Sequence, residues 1–260
     1  MKGLNFRYFF ISSFLAIGIA NADEYWGLEA WIGNLFTPNF EEYKDITERK
    51  KAFFMYLLPT INEHNTEITK LRKRIINNSI SEEEIYNLKK LYKIDKDSDT
   101  SRLLNSVDIV PASLVLAQAA MESDWGRSRF AKYYHNFFGL WCFREGCGVI
   151  PMDRDNYASH EVAKFSSLDK AVKYYMLSIN RNPAYEVFRQ IRKSKRDNNI
   201  PLRGISLSEG LDNYAEIGYE YVEIIKKIII FNKLERFDNI MLPLPVLQYP
   251  AYLSKENTEQ

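Results

Sequence analysis

Apolar residues recur at helical spacing through residues 41–73, with Ala52, Met55 and Tyr56 among them, and Pro59 is expected to break that helix. Ser81-Glu82-Glu83-Glu84 is a capping-box start for a second helix, whose apolar face is Ile85, Leu88, Leu91 and Tyr92. Pro111 stands where a helix can begin, and residues 112–121 are almost wholly apolar. The small residues Ala117, Ala119 and Ala120 let other helices approach closely, so this stretch predicts the central buried helix, with Gly126 as a C-cap. Residues 136–165 lose the helical period. Gly139, Gly146, Gly148 and Pro151 punctuate short aromatic and β-branched pieces, and residues 160–165 read as a short strand, so a small β lobe is expected. Helical periodicity returns over residues 169–178, 185–196 and 221–234, and the last residues carry Pro243, Pro245 and Pro250 as a tail without a helix. The pattern is that of a mainly α (α+β) protein.

The 260 residues, 46% hydrophobic and 27% charged, are enough to build a substantial core. A formal charge of +1 removes the usual electrostatic case for a nucleic-acid binder. Lys2 and Arg7 precede an apolar stretch over residues 8–20, and Ala20-Asn21-Ala22 places small residues where a signal peptidase reads, so residues 1–22 are expected to be a secretory signal. Thirteen apolar residues would span about 20 Å as a helix, short of a hydrocarbon core of about 30 Å. No membrane anchor is therefore expected after cleavage, and the mature chain loses two cations and no acid. The protein is expected to be exported, to the periplasm or cell envelope. There the C-x4-C pair Cys142 and Cys147 is expected to form a disulfide.

The most informative chemistry is Glu122, a carboxylate at the end of a very apolar helix. Burial against hydrophobic neighbours disfavours its charged form and prepares it to donate a proton near neutral pH, and Trp125, three residues on, is expected to supply the apolar wall. No metal or other cofactor is expected: three histidines without an H-E-x-x-H motif offer no zinc set. The alternating acids Asp95, Asp97 and Asp99 lack the Gly and Glu of a calcium loop, with Thr100 and Ser106 in their places, and read as a polar linker. The basic run at Arg189, Arg192, Lys193, Lys195 and Arg196 reads as a solvated helix face.

Ala119-Ala120-Met121-Glu122-Ser123-Asp124-Trp125-Gly126 and Asn136-Phe137-Phe138-Gly139-Leu140 resemble the A-A-x-E-S-x-W-G and N-x-F-G signature of the bacterial endo-β-N-acetylglucosaminidases of glycoside hydrolase family 73. Asn182-Pro183-Ala184-Tyr185 and Tyr214-Ala215-x-x-Gly218-x-x-Tyr221-Val222 follow in the same order, and Val107-Asp108-Ile109-Val110-Pro111, Trp141-Cys142-Phe143, Gly146-Cys147-Gly148 and His160-Glu161-Val162 are similar to its Bax-like branch. The resemblance covers residues 103–234, and residues 49–65 more weakly. It implies a lysozyme-like helical domain with a β lobe flanking a glycan cleft. It also implies cleavage of the β-1,4 bond after N-acetylglucosamine in peptidoglycan glycan strands, with Glu122 as general acid.

On that reading the chain divides into the signal (1–22), an N-terminal helical region (23–101), the glucosaminidase domain (102–235) and a tail (236–260). Glycoside hydrolysis usually takes a second carboxylate. Glu161 in the β lobe is the candidate, with Asp153 and Asp155 as rivals. The resemblance places Tyr214 at the cleft, where its phenol could bond the substrate acetamido group or a water. Trp125, Asn136, Phe138 and Trp141 are further substrate-binding candidates: Phe138 and Trp141 could stack on sugar faces or equally well be core, and Asn136 could do no more than fix its loop. Two other readings fit the residues: a catalytically weak wall-binding scaffold, and a lytic transglycosylase, which needs a single acid/base.

Overall fold

The computed structural model describes residues 37–150 and 160–239. The expected signal (1–22), residues 23–36, Asp153, Asp155 and residues 240–260 lie outside them. Among the described residues are nine α-helices and one three-stranded sheet. This is the mainly α, lysozyme-like division into a helical body and a β lobe.

Helix α1 (Ile46–Ile76) is uninterrupted, with Pro59 inside it, so the expected break does not occur. An interior proline costs a helix about 3 kcal/mol. Here that cost is offset by packing: Phe53, Phe54, Leu57, Leu58 and Ile61 on both sides of Pro59 are buried in the main core, each contributing about 1.5–3 kcal/mol. Asp45 opens the helix by accepting from the Glu48 N–H at 2.9 Å. α2 (Glu82–Leu91) starts with the expected capping box between Ser81 and Glu84. Asp99 caps α3 (Thr100–Ser106), and Lys89 donates to the carbonyls of Lys96 and Ser98, so the polar linker is tied down at both ends. Ile75, Tyr92, Leu103 and Val107 form a second, smaller cluster. The stretch expected as an N-terminal region thus supplies α1 to the main core, and α2 packs against α1 and α3 in the second cluster.

α4 (Ala112–Glu122) is the central helix, buried from Ala112 to Ala120. α1, α8 (Gly204–Ser208), α9 (Tyr219–Phe231) and the 3₁₀ turn Leu234–Phe237 pack around it. Its free N–H groups are met from the far end of the chain: Asp238 accepts from the Ser113 N–H and hydroxyl, both at 2.8 Å. Phe237 is buried as well. The body therefore runs past residue 235, the expected end of the domain.

α5 (Arg129–Tyr134) leads into the β lobe, made of β1 (Trp141–Cys142), β2 (Gly148–Val149) and β3 (Glu161–Ala163). The strand order is β1-β3-β2, antiparallel throughout, pairing Trp141 with Val162 and Gly148 with Ala163. The Cys142–Cys147 disulfide closes the β1–β2 connection, as the cysteine spacing predicts. α6 (Leu168–Arg181) and α7 (Glu186–Asp197) complete the body.

The basic run on α7 is a solvated face only in part: Lys193 and Arg196 are exposed, but the other two arginines are not. Arg189 and Arg192 are buried. Arg192 donates to the carbonyls of Asn105, Asp108 and Ile109 and to Asn180 Oδ1, while Arg189 serves the carbonyls of Ile179 and Asn182 and the Glu186 carboxylate. Arg192 thus satisfies backbone oxygens that the segment before α4 leaves without helical partners, and Arg189 does the same at the C-terminal end of α6.

Gly126 has φ +81°, and a Cβ placed there would lie 2.3 Å from the Phe40 ring. Gly126→Ala combines left-handed strain with a steric clash in the aromatic cluster of Phe40, Phe53 and Tyr56. It is expected to cost about 2–3 kcal/mol, which a thermal melt would register as a fall of several degrees.

Candidate active site

The site is built on the C-terminus of α4. The helix does not end on Gly126. Ser123 is the C-cap, Asp124 takes the left-handed conformation at φ +50°, and the Trp125 N–H reaches back to the Ala120 carbonyl at 2.9 Å while the Asp124 N–H reaches Met121. This is a Schellman closure with Asp in the usual glycine place. Ser123 is fully buried, bonding the Ala119 carbonyl and the Gly126 N–H. It locks the turn, and its hydroxyl is occupied.

Trp125 also has φ +56°, so it leaves the helix and the face that Glu122 occupies. It packs edge-on against Phe53 and Phe54 of α1 at 5.8 and 5.6 Å, under the Lys50 ammonium. Its expected place as the wall beside Glu122, or as a sugar platform, is corrected: the turn points it into α1.

Glu122 itself is half-buried. Burial raises its carboxyl above the ordinary glutamate value, and a hydrogen bond from the Tyr221 hydroxyl pulls partly the other way. The Tyr221 ring and hydroxyl come from α9. That hydroxyl accepts from Gln118 Nε2 at 2.9 Å, and Gln118 Oε1 accepts from the buried Tyr175 hydroxyl of α6. Above Glu122 lies Gly139, at φ +61°, where a Cβ would approach Glu122 Oε2 to 2.9 Å. Only a residue without a side chain leaves that oxygen uncovered.

The segment between α5 and β1 presents Gly139, and Asn136 holds it. The Asn136 amide donates to the carbonyls of Leu140 and Ala163 at 2.9 and 2.8 Å, and its oxygen accepts from the N–H groups of Phe138 and Leu140. Its side chain is buried with these bonds spent inside the protein, so it fixes the loop and does not meet a ligand. Phe138 is likewise buried, stacked on Tyr175 at 4.2 Å, and is a core residue, not a sugar platform.

Tyr214 lies between Tyr185 and Tyr221, with ring centroids at 5.8 and 5.2 Å, and its hydroxyl donates to the Phe138 carbonyl at 2.9 Å. The hydroxyl hydrogen is thus committed to the loop. What remains for a ligand is the oxygen as an acceptor. Trp141 is 49% exposed, with His160 stacked on it at 4.1 Å. Of the aromatic candidates it is the one the lobe presents outward.

Glu161 is buried, and its two carboxylate oxygens accept from the Gly146 and Gly148 N–H groups at 3.0 and 2.7 Å. It staples the disulfide loop onto β3. That geometry gives it a structural task and speaks against the role of second acid. Glu161→Gln, which removes one of the two acceptor oxygens, is expected to lower the melting temperature by a few degrees while leaving turnover within about tenfold; a fall of a hundredfold without loss of stability would return Glu161 to the chemistry. Cys142, Cys147 and Glu161 place ligand-type atoms within 4.8 Å of one another, but both sulfurs are bonded to each other.

Gln118 and Tyr175 are absent from the sequence reading, and Tyr221 enters it only as a motif position. The available signal was one amide side chain within an apolar run, four residues and thus one turn before Glu122.

A family model described as mannosyl-glycoprotein endo-beta-N-acetylglucosaminidase matches residues 99–233. The curated protein named Protein bax, from Escherichia coli (strain K12), is 30% identical over 196 residues, covering 71% of this chain and 70% of its own length. No solved structure matches. With the carboxyl, turn and loop of the signature assembled at one place, the chain belongs to the glucosaminidase family and is a Bax-like member of it.

Proposed function

We propose that this protein is an exported glycoside hydrolase that cleaves the β-1,4 bond after N-acetylglucosamine in peptidoglycan, with Glu122 as general acid. The observation that carries the reading is the Glu122 carboxyl, held half-buried at the end of α4 with its proton affinity raised by burial. A general acid must be protonated at working pH and close to the leaving oxygen, and Gly139 spares Oε2 the side-chain contact that any other residue there would impose. Trp141 offers an exposed indole face for a sugar ring. The Tyr214 oxygen is an acceptor for an acetamido N–H. Among the described residues no helix is long and apolar enough to cross a membrane.

One observation favours a second reading. With Glu161 taken up by its own loop, a reaction that needs a single acid/base, the lytic transglycosylase, keeps its place. Incubation of the mature protein with purified sacculi, followed by mass spectrometry of the soluble fragments, separates the two. Reducing N-acetylglucosamine ends are the expected product. Anhydro-muramyl ends would assign the transglycosylase, and no release from sacculi or short oligomers would leave a wall-binding scaffold.

A further inference from the structure

We propose that Gln118 is a positioning residue for Glu122: locked by Tyr175, its amide turns the Tyr221 hydroxyl hydrogen toward the Glu122 carboxylate and confines the transferable proton to the other carboxylate oxygen. The inference rests on the general-acid reading above and deepens it.

The direction of the chain of bonds follows from its buried end. Tyr175 is fully buried, and its hydroxyl is bonded to Gln118 Oε1. A phenol hydrogen in that place needs an acceptor, so the amide must present its carbonyl to Tyr175 and its NH2 to Tyr221. A flipped amide would set NH2 against the Tyr175 hydroxyl and leave the phenol hydrogen buried without an acceptor, at about 1–3 kcal/mol. With Gln118 Nε2 donating to Tyr221 Oη at 2.9 Å, the Tyr221 hydrogen is free to point only away from Gln118, toward Glu122. The amide cannot reverse by moving a proton, as a hydroxyl or a water in its place could. Glu122 therefore has a fixed donor on one oxygen, and its own proton, when present, belongs on the other.

Gln118 and Glu122 share α4, so the spacing of one helical turn sets the distance between them. Tyr175 stands on α6 and Tyr221 on α9. The other titratable groups that feel Glu122 are Tyr185 and Tyr214; burial raises all four phenols above the ordinary value, so they stay neutral through the range in which Glu122 titrates.

The test follows the Glu122 carboxyl by carbon-13 NMR in protein labelled at glutamate Cδ, assigned by the loss of its signal in Glu122→Gln. In Tyr175→Phe the amide is released to rotate and to take the Tyr221 hydrogen onto its own oxygen. In Gln118→Leu the Tyr221 oxygen is freed to accept from protonated Glu122. Both changes favour the neutral carboxyl, and each is expected to move the midpoint up by about half to one pH unit. Looser packing alone would admit water and move the midpoint down, toward the ordinary glutamate value. A midpoint that falls or stays in Tyr175→Phe, the more conservative change and the deciding one where Gln118→Leu does not fold, overturns the proposal. The activity profile of the same variants should shift its alkaline limb upward with the NMR midpoint. An upward midpoint in a protein that releases nothing from sacculi sustains the positioning and overturns only the function proposed above.

Discussion

Glu122→Gln is expected to lower turnover on peptidoglycan by about 10²–10⁴-fold, with the far-ultraviolet circular dichroism unchanged. Glutamine keeps the size of the side chain and an oxygen to accept from Tyr221, so the bonds that place it survive the change. What is lost is the proton. A factor of 10² corresponds to about 2.7 kcal/mol of transition-state stabilisation, more than a rim aromatic such as Trp141 would contribute by stacking, about 0.5–1.5 kcal/mol. The stability of the variant carries a sign of its own. A carboxyl whose proton affinity is raised by folding works against the folded state once the pH exceeds its unfolded value, about 4.3, because ionisation then favours the unfolded chain. Glu122→Gln removes that penalty. Its melting temperature at pH 7 should equal or exceed that of the natural chain, and the difference should vanish below about pH 4. Loss of activity together with a lower melting temperature at pH 7 would mean that the carboxyl serves the fold and not the reaction.

Glu122 was legible because its signal is one-dimensional: an acid closing a run of apolar residues can be read without neighbours. The same holds for the capping box at Ser81, the cysteine pair and the turn into the β lobe. Positions whose meaning depends on distant partners were not legible. Asn136 sits in a signature motif, and only the approach of Ala163, 27 residues later, shows that its amide is spent on the loop. Trp125 follows Glu122 by three residues, which on a continuing helix would put both on one face. Two successive left-handed residues, Asp124 and Trp125, defeat that periodicity. Pro59 illustrates a local rule outweighed by tertiary packing, since the residues on both sides of it are buried. The charges on α7 were misread for the converse reason. Arg189 and Lys193 have counter-groups nearby in Glu186 and Asp197, but those of Arg192 and Arg196, the Asp108 carboxylate and carbonyls from residues 105–109, lie more than 80 residues away.

Those charges carry the second large expectation. Asp108, 2% exposed, accepts two bonds from the Arg196 guanidinium at 3.0 and 2.8 Å and stands 3.6 Å from Arg72, while Arg192 donates to its backbone carbonyl at 3.2 Å. Burial alone would raise the Asp108 carboxyl, but the arginines more than offset it and hold it below the ordinary aspartate value. Burial pushes the Arg192 guanidinium down to about 10, so it stays charged at neutral pH and needs this anion. Asp108→Asn keeps the shape and withdraws the charge, leaving the buried Arg192 and the half-buried Arg72 uncompensated, and is expected to cost about 3–5 kcal/mol, or roughly 10 °C in melting temperature for a chain of this size. Because the folded carboxyl is more acidic than the unfolded one, its contribution is complete above about pH 4 and fades as the pH falls through the folded value. The gap between the two proteins should therefore be widest near neutrality and close on acidification, which melts at a series of pH values would trace. The cluster ties α1, α3, α6 and α7 to the segment that starts α4, the helix that carries Glu122 at its other end. A variant that still folds at 25 °C should thus lose little turnover there and lose it steeply on warming. A gap that persists unchanged at pH 3 would show that the asparagine disturbs packing instead of charge.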